Sequence, residues 1–248
     1  FPRRSRRPPP VAPRHGPFGL LTKVGGGGKT AGGLFQKGMT MGNARKYFPL
    51  LAAAGLLASG AAQATLFDRG SGLLYDDVLK VSWLQDANYA RTSGYDDDGL
   101  MNWADANAWA TNLVYHDSVR GVDWSDWRLA RNSPVGSNWN YGYSADGSTD
   151  YGYNITSLNS ELAYMYHVNL GLKSYFSPVG TYQPDFGIFT NGTEGGQTDV
   201  AGVKNLRSAA YWSATVYAPN LSRDAWMFDA AKGAQANNLK SGMSYAWT

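Results

Sequence analysis

Short tryptophan-centred motifs restrict this fold more than any other feature of the chain. They are Trp124-Ser125-Asp126-Trp127-Arg128-Leu129, Tyr211-Trp212-Ser213-Ala214-Thr215, Ala225-Trp226-Met227-Phe228 and Tyr245-Ala246-Trp247. The last three fall within the final 38 residues, each on a short stretch of strand character. Large aromatics on neighbouring strands hold a small antiparallel sheet together by cross-strand packing. Trp83, Trp103, Trp127, Trp212, Trp226 and Trp247 are therefore expected as structural core.

The first 64 residues read differently. Residues 1–40 hold four arginines near the start, a Pro8-Pro9-Pro10 run and a Gly25–Gly28 run, with no helical or strand period. Such composition cannot bury enough apolar surface to fold. This stretch is expected to be a disordered or non-native upstream segment, with the true start at Met39 or Met41. Residues 41–64 combine basic Arg45 and Lys46, an apolar run from Tyr47 to Ala58 and Ala62-Gln63-Ala64. That is the pattern of a signal peptide. The competing reading, a membrane span, needs a longer apolar run. Export is therefore expected, with a secreted, periplasmic or cell-surface location after cleavage near Ala64. Residues 65–248 contain no second stretch long enough to span a bilayer.

The division changes the meaning of the charge. Residues 1–64 carry 10 Lys and Arg and no acid, whereas residues 65–248 carry 12 against all 19 Asp and Glu. The formal +3 is thus +10 on the leader and −7 on the domain. An acidic domain is a poor candidate for nucleic acid, which needs a basic face. The chain has no cysteine. Thiol nucleophiles, thiolate zinc sites and disulfide redox chemistry are excluded with it.

Within residues 65–248, Thr65–Arg69, Leu73–Tyr75 and Leu79–Leu84 read as strands, the last two as a hairpin about Asp76-Asp77. Asn102 is the expected N-cap of a helix whose buried face holds Trp103, Ala106, Ala110 and Leu113. Residues 116–127 read as a polar link. A second helix is expected from Ser157 or Ser160 to Leu170, with Leu162, Met165, Tyr166 and Leu170 buried and Gly171 as its stop. Residues 172–208 read as irregular. Three strands are expected at Tyr211–Tyr217, Ala225–Ala230 and Ser244–Trp247. Two helices among short antiparallel sheets with long loops make an α+β fold.

The motif set, in order, resembles the DUF1566 domain family of exported bacterial proteins, also called the Lcl C-terminal domain family. The resemblance rests on Leu74-Tyr75-Asp76, Val81-Ser82-Trp83-Leu84-Gln85-Asp86, Trp103-Ala104-Asp105-Ala106, Asp126-Trp127-Arg128-Leu129, Ser160-Glu161-Leu162, Tyr211-Trp212-Ser213 and Tyr245-Ala246-Trp247. It covers nearly all of residues 65–248 and implies a C-type-lectin-like fold. One namesake is an adhesin whose end domain binds sulfated polysaccharide. Two departures stand out: Ala130 replaces the usual Pro, and the sequence stops at Thr248 where the family runs on, so the last strand is expected to be clipped. Formylglycine-generating enzymes share a related fold, but their chemistry uses cysteine.

Candidate binding residues lie in Asn132–Thr156, where Trp139, Tyr141, Tyr143, Tyr151 and Tyr153 sit among Asn, Ser and Gly. Rigid aromatics with adaptable polar groups resemble a paratope, and flat rings also take the apolar face of a sugar. The competing reading is that these rings fold down over the core. Asp146 and Asp150 form a calcium-capable oxygen cluster, as does Asp96-Asp97-Asp98-Gly99. Gln183-Pro184-Asp185 matches a tripeptide some lectins use for calcium and galactose. His116 and His167 lie in no catalytic motif, and Glu161 with Glu194 is the one glutamate pair for a hydrolase. The expected function is a non-enzymatic binding or adhesion module for a polysaccharide or surface protein, without an obligate cofactor, met through the 132–156 and 172–208 loops. The alternative is a structural cell-envelope or matrix component. Oligomeric state is left open.

Overall fold

Strands dominate residues 66–248, which are the residues described by the computed structural model. The expected leader and signal peptide lie outside them. β1 (Leu66–Gly70), β2 (Leu73–Asp76) and β3 (Val81–Leu84) pair antiparallel as a meander. The β2–β3 turn is closed by Asp76. Its carboxylate accepts from the N–H groups of Val78 and Leu79 at 2.9 and 2.8 Å. Lys80 ends this turn at φ +57°.

After a single helical turn, α1 (Tyr89–Thr92), and β4 (Leu100–Met101), α2 runs over Trp103–Asn112. The Asn102 side chain caps it, accepting from the Asp105 N–H at 3.0 Å. Its buried residues are Ala106, Trp109 and Ala110. Trp103 and Leu113 are only half-buried. Trp109 takes the central place because it falls at i+3 from Ala106 on the same face.

Residues 115–124 are a hairpin where a polar link was expected. β5 (Tyr115–Asp117) pairs with β6 (Val122–Trp124) in register His116–Asp123. Strands of three residues are too short for alternation to reveal them. β7 (Tyr143–Ser144) and β8 (Tyr151–Tyr153) follow, paired parallel. α3 (Glu161–Tyr164) continues as a π-helical turn, Met165–Asn169, in which the Leu170 N–H donates to the Met165 carbonyl at 2.9 Å. Leu162, Met165, Tyr166 and Leu170 are buried, and Gly171 leaves the helix at φ +63°.

The segment read as irregular contains a hairpin, β9 (Gln197–Val200) with β10 (Val203–Arg207). β11 (Ala210–Val216), β12 (Asp224–Asp229), β13 (Ala234–Leu239) and β14 (Ser244–Tyr245) complete the chain. β13 was not expected, because Ala-Gln-Ala-Asn-Asn-Leu has little strand propensity. Its six residues pair in register with β12 all the same.

The main sheet has the order β4-β14-β11-β12-β13-β8-β7. Alternation along its central strands supplies two cores. Tyr211, Phe228 and Trp247 point to one, shared with α3, Leu74 and Trp83. Trp212, Ala225 and Ala246 point to the other, shared with α2 and Leu129. The fold is thus mixed α+β, mostly strand, with few helices and open sheets. Trp83, Trp212, Trp226 and Trp247 are buried. Trp103 and Trp127, expected in the core, are half-buried. Among the described residues no helix is long and apolar enough to cross a membrane.

Candidate functional site

The five loop aromatics divide between two ring clusters. Trp139 stacks on fully buried Trp226 at 5.5 Å and 20°, and Tyr141 stacks beside it at 6.2 Å and 18°. Tyr151 and Tyr217 close the same ring from other sides at 6.3 and 4.9 Å. Tyr143 and Tyr153 belong to a separate edge-to-face ladder that continues through Phe176 and Tyr175. Only Tyr143 stays well exposed, at 59%. Most of these rings therefore cover the sheet, because burying an indole face gains more than leaving it in water.

The oxygen clusters are likewise turn closures. Asp150 is buried, and its two oxygens accept from the N–H groups of Val135 and Asn140, both at 2.6 Å. Asp146 is exposed and bonds Ser148 through its N–H and hydroxyl, at 3.1 and 2.6 Å. These bonds hold its carboxyl below the usual range. Asp96 accepts from the N–H groups of Asp98 and Gly99. In Gln183-Pro184-Asp185, the glutamine donates to the Ser174 carbonyl and the aspartate pairs with Lys173. No group of three or more His, Asp or Glu that could hold a metal occurs among the described residues.

A cleft of about 460 Å³ opens instead between the first meander, the β5–β6 hairpin and residues 126–130. Its position follows from one strap. The hairpin is tied to the Gly70-Ser71-Gly72 turn, all three residues of which have positive φ. The Tyr115 hydroxyl donates to the Ser71 carbonyl at 2.6 Å, and the Ser118 N–H donates to the Ser71 hydroxyl at 2.9 Å. Arg120 reaches the Arg69 carbonyl at 3.0 Å. Gly72 is required here, since a Cβ would lie 2.5 Å from the Tyr115 hydroxyl.

Asp117 organises the wall. Its side chain is closed to solvent. It accepts from the N–H groups of Val119 and Arg120, the Arg120 guanidinium at 2.5 Å and the Trp124 indole at 3.2 Å. Burial alone would raise its pKa, but these bonds outweigh it and hold the carboxyl down at about 2. Trp124, still 40% exposed, is thus a fixed ring at the cleft. Trp127 donates to the Trp124 carbonyl at 3.1 Å and packs edge-on against Tyr115 at 6.0 Å.

Across the cleft Arg128 makes a two-pronged bond to Glu161, 2.7 Å in each arm. Glu161 also accepts from the Arg131 N–H at 2.8 Å. Both carboxylates are therefore committed to arginines. Asp117, ionised above about pH 2, is no proton donor, and its oxygens are turned to Arg120 and Trp124 as those of Glu161 are to Arg128 and Arg131. Glu194 faces Lys232 instead, at 3.8 Å. Arg69 lies over the Tyr75 ring at 5.3 Å, and Lys80 and Asp126 line the cleft as well.

Sequence reasoning marked Trp127 and Arg128 as fold markers and did not single out Tyr75, Lys80 or Asp117 for the site. Nothing in their spacing joins them. They meet only because an unforeseen hairpin crosses the first β-turn. No protein-family model, curated protein or solved structure matches the chain.

Proposed function

We propose that the chain is an exported, non-enzymatic binding or adhesion module on a C-type-lectin-like scaffold of the DUF1566 type, and that a polysaccharide enters the cleft beside Trp124. The observation that carries this reading is the fixed, exposed Trp124 ring, held by the buried Asp117 carboxylate. A pre-oriented indole loses little freedom when the apolar face of a sugar stacks on it. Arg120 and Arg128, fixed by their ion pairs, and the carboxylate of Asp126 offer polar groups nearby for hydroxyls. The pairing of Asp117 and Glu161 with arginines favours recognition over hydrolysis. The cleft is favoured over the long loops because Trp139, Tyr141 and Tyr151 pack on Trp226.

The purified protein on a glycan array tests this. Saturable binding that Trp124→Ala lowers at least tenfold is expected. No signal from any glycan, with or without calcium, would sink it.

A second reading, a structural envelope component, draws on exposed apolar side chains of the hairpin. Val114, Val119 and Val122 on and beside the hairpin are exposed, and exposed apolar side chains favour association where they form a patch. Sedimentation showing concentration-dependent self-association without glycan binding would favour it.

A further inference from the structure

We infer that the ladder of rings Tyr143, Tyr153, Phe176, Tyr175 and Tyr182 is a docking surface for a proline-rich segment of a partner protein, flanked by arginine or lysine. None of these residues lines the cleft, so the surface is separate from the saccharide site.

The geometry comes first. Successive rings lie 6.0, 5.3, 4.8 and 5.0 Å apart and cross at 82°, 90°, 84° and 63°. Rings set across one another leave notches between them and no continuous flat face for a sugar. Proline-rich chains dock between such aromatics, because their polyproline II helix is already formed before binding. Two steps along the ladder compare with the ~9 Å rise of one polyproline II turn. The end rings, Tyr143 and Tyr182, are 59% and 51% exposed, more than a cover for the core requires. The ladder is also held in place. The Asn154 amide donates to the Ala145 and Phe176 carbonyls at 2.6 and 2.8 Å, and the Tyr175 N–H donates to the Lys232 carbonyl at 2.8 Å. Rings fixed in advance lose little freedom when a ligand arrives.

The polar groups fit the same ligand. The hydroxyls of Tyr115, Tyr166 and Tyr211 each bond to the backbone. Those of Tyr143, Tyr153, Tyr175 and Tyr182 make no hydrogen bond among the described residues, and each is a free donor. A proline-rich backbone presents carbonyl acceptors and, at proline, no N–H that needs a partner. The charge around the ladder is negative. Residues 143–153 and 173–186 hold Asp146, Asp150 and Asp185 against Lys173 alone, and Lys173 is paired with Asp185. Burial and then Tyr143, Asp229, Tyr175 and Glu194 raise the Tyr153 pKa, which sets two further carboxylates beside that ring. Lys232 meets one of them, Glu194, at 3.8 Å. Basic flanks on the ligand complement this surface, and like-charged flanks are repelled.

The test is calorimetric titration of the purified protein with three peptides. They are decaproline flanked by arginines, decaproline flanked by aspartates, and an arginine-flanked Gly-Ser chain of equal length. The first is expected to bind saturably, at least about tenfold tighter than either control. Tyr143→Ala and Tyr182→Ala should each weaken it about tenfold with Tm unchanged. The double variant Tyr143→Phe with Tyr182→Phe keeps both rings and should weaken it about fivefold through the lost donors. It decides the matter if an alanine variant melts early. Trp124→Ala should leave peptide affinity unchanged, and the tyrosine variants should leave glycan binding unchanged, so the two sites fail separately. No binding of the arginine-flanked decaproline overturns the inference, as does equal affinity for either control. Undiminished affinity in the tyrosine variants overturns it too. Loss of glycan binding in those variants would make the ladder a sugar platform and overturn it as well.

Discussion

The Trp124 indole donates to Asp117 at 3.2 Å, so a closed-off carboxylate sets the plane of an exposed ring. Asp117→Asn keeps the shape and removes the charge that holds both Trp124 and Arg120. Glycan affinity should fall about tenfold, the loss of one charge-assisted hydrogen bond. Trp124 emission should shift red as the ring loosens. Unchanged emission and affinity would show that Trp124 orients itself.

The same carboxylate sets an acid limb. Its folded pKa of about 2 lies below the ordinary 3.8. The stability it contributes is complete above pH 3.8 and is lost as pH falls towards 2. In urea titrations between pH 4 and 2, Asp117→Asn should therefore show a shallower loss than the wild type.

His167 acts in a higher window. Its ring packs edge-on against Tyr166 at 4.8 Å and Phe228 at 6.0 Å. Burial holds its pKa down at about 4, against the pull of the Leu172 and Gly233 carbonyls. The unfolded chain takes up the proton first, near pH 6.5. Stability should therefore fall as pH drops from 6.5 towards 4, by up to roughly 3 kcal/mol. Denaturation at pH 7.5 and 4.5 measures this, and His167→Met should remove most of the slope.

Trp139 separates lid from site. Trp139→Ala removes a stacked ring from Trp226 and should cost about 2–3 kcal/mol, less than a fully buried tryptophan. Glycan binding should be unaffected. Lost binding with the fold intact would return the site to the 132–156 loop.

Gly72 is the strap's weak point. Gly72→Ala places a Cβ against the Tyr115 hydroxyl at φ +73°. A left-handed alanine and a broken hydrogen bond together should cost about 2–3 kcal/mol. The hairpin should loosen first, which amide exchange at Tyr115 and Asp117 would register.

How much was legible varies by element. Asn102 three residues before Asp105 reads as a cap, and it is one. Leu162, Met165, Tyr166 and Leu170 read as one helical face and are buried, although a π-turn replaces the later α-helix. β13 was invisible because its polar residues become a strand only through β12 beside it. The loop tyrosines were ambiguous for a related reason. Composition shows that aromatics are abundant, but not whether Trp226 lies beneath them.

The sequence by itself determined the α+β class, the acidic balance of residues 65–248 and most of the buried tryptophans. Those follow from local periodicity, composition and the energetic pull on large apolar rings. Only tertiary structure decided that Trp139 and Tyr141 are cover while Trp124 is left at a cleft. It also decided that Asp117 is buried and paired with Arg120. Each of those depends on which strand crosses which turn, a matter of long-range contact that no short window of residues encodes.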